Sequence, residues 1–218
     1  MRRILRYIAA RTWKPFLEKK LSRTQEYAYK GIRLSIPPGI FHPHYFYSTH
    51  FLLEYLLKEE LHSKTFLELG CGSGLISIAA AKKGAQVTAT DINPAAVKTL
   101  RENSKKNGVS ITVKSSDLFV NIPVQTFDLI AINPPYYKGK VRGEKDLAWY
   151  CGEDHEFFSG LFQDIKSYMH PSTRCLLVLS DDCDINTIRA IAAKNSVTLR
   201  ETASKRFLLS TERIFTIG

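Results

Sequence analysis

From residue 45 onward, two rhythms of apolar and polar positions alternate along the chain. A helical period of about 3.6 residues gives way to short, nearly continuous apolar runs, then returns. Residues 49–60 carry Phe51, Leu52, Tyr55 and Leu56 on one helical face. Residues 65–69 form a short apolar strand, and an Ala-rich helix over 75–83 stops at Gly84. A second strand is expected over 86–90. Asn93 then caps a helix that has Pro94 in its first turn and ends near Gly108. Strands follow at 110–113 and 127–132. The latter is nearly all apolar, as a strand buried on both faces must be. A polar loop covers 137–152. A helix over 154–169, a strand over 174–179, a helix over 185–195 and strands at 197–201 and 212–217 close the pattern. Strand–helix–strand repetition with short connections predicts a doubly wound α/β sheet, in which ligands bind beyond the carboxyl ends of the strands. Chemistry is therefore expected just after Leu69, Thr90, Val113 and Ile132.

The residues at those strand ends are informative. Glu68-Leu69-Gly70-Cys71-Gly72-Ser73-Gly74 leads from the first of these strands into a helix, and its glycines let a ligand approach the backbone. The spacing is GxGxG. The dinucleotide fingerprint needs GxGxxG, so a nicotinamide dehydrogenase is disfavoured. Asp91, about 20 residues on, can accept both ribose hydroxyls of a nucleoside. Asp117, beside Leu118, can accept from an adenine amino group or can be a plain surface acid. The most specific signal is Asn133-Pro134-Pro135-Tyr136. Two prolines after an apolar strand stiffen the turn and present the Asn133 side chain and the Pro134 carbonyl as acceptors. Acceptors that grip the hydrogens of a planar nitrogen favour its pyramidal form and free its lone pair. Tyr136 could stack on the flat group.

In this order, Glu68 to Gly74, Asp91, Asp117-Leu118 and NPPY resemble the class I S-adenosylmethionine-dependent methyltransferases. More narrowly, they resemble the small methyltransferase domain shared by HemK-like release-factor glutamine methyltransferases and N6-adenine methyltransferases. The resemblance covers about residues 35–180. It implies a Rossmann-like, mostly parallel seven-stranded sheet with a C-terminal antiparallel strand, and S-adenosylmethionine as cofactor. It assigns Gly70, Gly72 and Gly74 to the methionine part, Asp91 to the ribose and Asp117 to adenine. It further assigns Asn133 to Tyr136 to the acceptor nitrogen, and Thr49 to a cofactor contact before the first core strand. The domain boundaries implied are a basic arm over 1–40 and the methyltransferase domain over 41–218. About forty residues precede the catalytic pattern, too few for the helical domain with which glutamine methyltransferases of this family grip a release factor. The target-recognition domain of DNA adenine methyltransferases is not expected either.

Charge bears on the acceptor. The net charge is +10, and residues 1–33 hold ten Lys and Arg against Glu18 and Glu26. Ile4, Leu5 and Ile8 oppose Arg2, Arg3, Arg6 and Lys14 on a helical wheel, which suggests a docking helix ended by Pro15; an organelle-targeting segment is the other reading. The loop 137–152 interleaves Lys138, Lys140, Arg142 and Lys145 with Tyr137, Trp149 and Tyr150. Cations among aromatics suit nucleic acid, with RNA adenine as the first expected acceptor. The same loop could instead be a lid over the cofactor. A glutamine in a translation factor is the alternative acceptor, and a cofactor-binding module without chemistry is a third reading that the intact NPPY disfavours. Cys71, Cys151, Cys175 and Cys183 form no CxxC pair, so a reduced, cytoplasmic compartment is expected. His42, His44 and His50 have no standard ligand spacing, and no metal is expected there. No apolar run approaches the roughly 20 residues of a membrane span, so no stable membrane insertion is expected.

Overall fold

The computed structural model describes residues 21–208 and 210–218. The proposed docking helix near the N-terminus lies outside them. Nine strands and five α-helices make up the described fold: β1 (Gln25–Tyr29), β2 (Ile32–Ile36), α1 (Tyr47–Leu56), β3 (Thr65–Leu69), α2 (Leu75–Lys82), β4 (Gln86–Asp91), α3 (Pro94–Lys106), β5 (Thr112–Ser115), β6 (Phe127–Ile132), α4 (Glu156–Asp164), β7 (Met169–Ser180), α5 (Ile185–Lys194), β8 (Leu199–Arg206) and β9 (Thr211–Ile217). Seven strands form one sheet in the order β5-β4-β3-β6-β7-β9-β8. The pairs β5:β4, β4:β3, β3:β6 and β6:β7 are parallel. β9 runs antiparallel to both β7 and β8, so the expected antiparallel element is a hairpin at the sheet's edge.

The period of two sorts the strands' side chains onto two cores. On one face Phe66, Leu176 and Val178 pack with α1, α2 and α3 residues such as Leu52, Ile78 and Leu100. On the other, Leu67, Leu69, Ile130, Ile132 and Leu177 meet Phe158 and Phe162 of α4. Each of these large side chains leaves water almost completely, which stabilises the fold by roughly 1.5–3 kcal/mol apiece. Strand order reverses between β3 and β6, and that switch opens a crevice above their carboxyl ends.

The hairpin β1–β2 lies ahead of residue 41, where the sequence implies that the domain begins. Lys30 and Gly31 both take positive φ (47° and 78°), a two-residue turn whose twist suits antiparallel strands. Ile32, Leu34 and Ile36 are buried in the first core. Asn103 of α3 and Asn107, just past its end, fasten β2. Asn103 accepts from the Ser35 N–H at 2.8 Å and donates to the Ser35 carbonyl at 3.2 Å. Asn107 does the same for Arg33, at 3.0 and 2.7 Å. Side-chain amides here stand in for a neighbouring strand and close an edge. The segment 25–36 is thus part of the packed body rather than an arm.

Candidate active site

The crevice holds a cavity of about 460 Å³, within the usual range for small-molecule sites. Its floor is the loop after β3. The Gly70 and Cys71 N–H groups both donate to the Thr90 carbonyl at 2.9 Å, binding that loop to the end of β4. Gly70 and Gly72 line the cavity with positive φ (76° and 50°), where a side chain would be strained. Gly74 does not line it. Its φ of 88° starts α2, and an added Cβ would lie 2.3 Å from Leu100 Cδ1, so this glycine serves the packing of α2 against α3.

Thr49, Glu68, Asp91, Asp117, Leu118, Asn133, Pro134 and Pro135 also line the cavity. Asp91 Oδ2 accepts from the Gly72 N–H at 2.8 Å and Oδ1 accepts from the Asn93 N–H at 2.9 Å. These bonds orient the carboxylate and leave each oxygen a further lone pair for hydroxyls. Burial raises the Asp91 pKa, and the two N–H donors oppose that. Glu68 is buried and accepts from the Ser77 N–H at 2.9 Å and from the Ser77 hydroxyl. Desolvation drives its carboxyl from 4.5 up to about 8; the two Ser77 bonds work against this, and the charge of Asp91 adds to it. Glu68, Asp91 and Asp117 place acidic groups around one apolar-walled cavity. That suits a nucleoside bearing a positive centre, with hydroxyls toward Asp91 and close backbone approach at Gly70 and Gly72. S-adenosylmethionine meets that description.

The NPPY corner closes one end. Asn133 Nδ2 donates to Thr49 Oγ1 at 3.2 Å, and the Tyr136 hydroxyl donates to Asn133 Oδ1 at 3.1 Å. The amide plane is therefore held from both sides, and Oδ1 keeps a second lone pair for an incoming N–H. Tyr136 does not line this larger cavity; it lines a smaller cleft beyond the corner. Its ring packs against the second core, and its hydroxyl also bonds Ser48. Burial and, after it, the charge of Glu212 hold its pKa well above the ordinary tyrosine value, so it stays a proton donor to Asn133.

Beyond the corner lies a second, smaller cleft of about 40 Å³. Asn133 and Pro134 line both cavities, so this corner is the wall between them. Phe46 and Trp149 line this outer cleft, and Phe41 lines both; no sequence spacing joins the three. Phe41 and Phe46 stack at 4.5 Å, and Trp149 lies 5.6 and 5.0 Å from them.

His42, His44 and His50 gather around Tyr27, whose hydroxyl is 3.0 Å from His50 Nε2. Among the described residues no group of side chains could hold a metal ion, and no helix is long and apolar enough to cross a membrane. The four cysteines are free and buried.

Residues 31–150 match the family model described as the methyltransferase small domain. The chain is 45% identical over 146 residues to a putative protein N5-glutamine methyltransferase of Methanocaldococcus jannaschii, spanning 64% of this chain and 72% of that protein. It is 34% identical over 104 residues to a tRNA1(Val) (adenine(37)-N6)-methyltransferase of Haemophilus influenzae, spanning 43% of this chain and 45% of that one. The chain thus spans less than half the length of the second relative. Among solved structures, a ribosomal protein L11 methylase from Lactobacillus delbrueckii subsp. bulgaricus shares the fold, with a TM-score of 0.62, 22% identity, and coverage of 83% of this chain and 82% of that one.

Proposed function

The chain belongs to the methyltransferase small domain family, and from that premise we propose that it moves a methyl group from S-adenosylmethionine to the side-chain amide nitrogen of a protein glutamine. Dependence on S-adenosylmethionine and transfer to nitrogen are common ground with its relatives. The acceptor and the role of each residue are the proposal. The observation that carries it is the position of Asn133 and Pro134 as the shared wall of the two cavities.

S-adenosylmethionine supplies an electrophilic methyl carbon on a sulfonium. In this reading Gly70 and Gly72 admit its methionine part, Asp91 takes the ribose hydroxyls and Asp117 faces the adenine end. The acceptor nitrogen comes from the outer cleft. Its two hydrogens are taken by Asn133 Oδ1 and the Pro134 carbonyl. Gripped so, the nitrogen gives up conjugation and directs its lone pair at the methyl carbon. The new N–C bond forms as the C–S bond breaks with its electron pair on sulfur. The methylated nitrogen is then strongly acidic and loses one hydrogen to solvent, so no strong base is required. The benefit falls mainly on the transition state, because the grip matters most once the nitrogen is pyramidal.

Glutamine is preferred to a base on two grounds: the identity to the archaeal glutamine methyltransferase, and the small size of the outer cleft. RNA adenine is the second reading. It is supported by the exposed Tyr137 and Tyr150 beside Lys138, Lys140 and Arg142, and by the identity to the tRNA enzyme. One of these cations is locally offset: Lys138 pairs with Asp154 at 3.7 Å. Transfer of tritiated methyl to cell extract tests the proposal, with Asn133→Ala as control. Label removed by protease and retained after nuclease is expected; label removed by nuclease would transfer the case to RNA.

A further inference from the structure

We infer that Trp149, held against Phe41 and Phe46, is the specificity-determining residue of the acceptor cleft and narrows it to a side-chain amide. The inference rests on the glutamine reading above.

Trp149 sits on the loop 137–152, and that loop is stitched rather than open. Tyr137 N–H donates to the Trp149 carbonyl at 2.8 Å, Cys151 N–H to the Tyr137 carbonyl at 2.8 Å and Gly139 N–H to the Gly152 carbonyl at 3.0 Å. Trp149 N–H in turn donates to the Asp146 carbonyl at 2.9 Å. At Gly139 an added Cβ would lie 2.6 Å from the Tyr150 ring, so the two arms of the loop meet closely. The base of the loop is therefore fixed, and it holds the indole against the Phe41–Phe46 stack. Edge-on and tilted contacts of this kind favour a defined ring position.

The size that results is selective. A volume of about 40 Å³ holds roughly three water-sized centres. The carbon, oxygen and nitrogen of a carboxamide need that much room; a bicyclic purine needs several times more. Aromatic side chains line the cleft, and Asn133, which lines the cofactor cavity as well, stands at the boundary between the two. A purine would need a wider cleft than Trp149, in contact with both phenylalanines, leaves. The same loop also lines the cofactor cavity, through Val141, Leu147, Ala148 and Tyr150, so cofactor affinity must be measured beside acceptor kinetics.

The test uses the full chain and its Trp149→Ala and Trp149→Phe variants, assayed on the soluble protein fraction and on total RNA. For the protein acceptor, Trp149→Ala is expected to lower kcat/KM at least about tenfold, mostly through KM. Trp149→Phe should stay within about threefold of the parent, since it restores a flat wall. Affinity for S-adenosylmethionine should be the same in all three. Unchanged kcat/KM in Trp149→Ala, or a parallel loss of cofactor affinity, would overturn the assignment while leaving the glutamine reading intact. Parent protein that labels RNA and no protein would overturn the glutamine reading and the width argument together. A measurement without turnover completes the test. In a Trp13→Phe chain, Trp149 is the remaining tryptophan, and N-acetylglutaminamide added with S-adenosylhomocysteine should shift its emission saturably. No shift up to the solubility limit would count against the slot even if no acceptor were found.

Discussion

Replacing Glu68 with glutamine should change how stability depends on pH. Glu68 lies on β3 beneath the glycine loop, about 4% exposed, with its carboxyl bonded to Ser77 and pushed up from 4.5 to about 8. Between those two values the folded chain holds a proton that the unfolded chain has lost. Unfolding therefore releases a proton, and stability falls as pH rises through that window. The contribution is complete below about 4.5 and exhausted above about 8. At about 1.4 kcal/mol for each unit of pH, the window corresponds to a few kcal/mol, on the order of 5. For a chain of this size that is on the order of 10 °C in melting temperature. Glutamine keeps an oxygen acceptor for the Ser77 N–H and hydroxyl but carries no ionisable proton. Glu68→Gln should therefore match or fall below the parent near pH 5 and exceed it near pH 9. Thermal or urea unfolding of both chains from pH 5 to 9, without cofactor, gives the difference directly. Other titrating groups, Asp91 among them, are common to both chains and largely cancel. Parallel curves across the whole range would refute the reasoning, because they would mean that Glu68 is ionised in the fold or unfolds with its proton state unchanged.

Three other outcomes follow from the same geometry. Asp91→Asn should weaken S-adenosylmethionine binding by roughly ten- to a hundredfold in calorimetry, since a charged acceptor of hydroxyls is lost; equal affinity would remove Asp91 from the ribose role. Asn133→Ala should lower kcat by about a hundredfold or more with cofactor affinity nearly unchanged, as expected of an acceptor that acts in the transition state; retained turnover would refute the nitrogen-gripping role. Gly74→Ala should cost roughly 2–5 kcal/mol in urea unfolding, combining left-handed backbone strain with overlap at Leu100; a cost below about 1 kcal/mol would show that α2 and α3 can part without penalty.

The parts of the fold that could be read from sequence are those whose burial leaves one pattern possible. β3 and β6 send apolar side chains into both cores because helices cover both faces, and α3 announces its start with Asn93 and Pro94. The Asn93 side chain does accept from the Ala95 N–H at 2.9 Å. The hairpin β1–β2 was hidden by its charges. Its buried alternation Ile32, Leu34, Ile36 is present, but Lys30-Gly31 is an uncommon turn pair, and the flanking cations drew the reading toward an extended arm. At the site, the strand-end rule located Gly70, Gly72, Asp91, Asp117 and Asn133, since position along a parallel sheet decides what faces the crevice. It could not separate Gly74 from that set. Gly74 adjoins cavity-lining residues in sequence, while its direction is set by a tertiary neighbour, Leu100.

The acceptor was the least legible feature, and the reason is chemical. A glutamine amide and an adenine amino group both present a conjugated NH₂ in a plane, and a pair of oxygen acceptors grips either one equally well. In the proposed reading, Asn133 and Pro134 act on the nitrogen in the same way whichever molecule brings it. Choice between acceptors has to come from surfaces that meet the rest of the group, and those are drawn from distant parts of the chain. Phe41 and Phe46 precede α1, whereas Trp149 comes more than a hundred residues later and is carried back by the stitched loop. Such a constellation leaves no local spacing to find. It also separates the two failures an altered enzyme can show. A change at the corner should abolish transfer to every acceptor, whereas a change at the aromatic wall should redistribute transfer among acceptors while the corner stays competent.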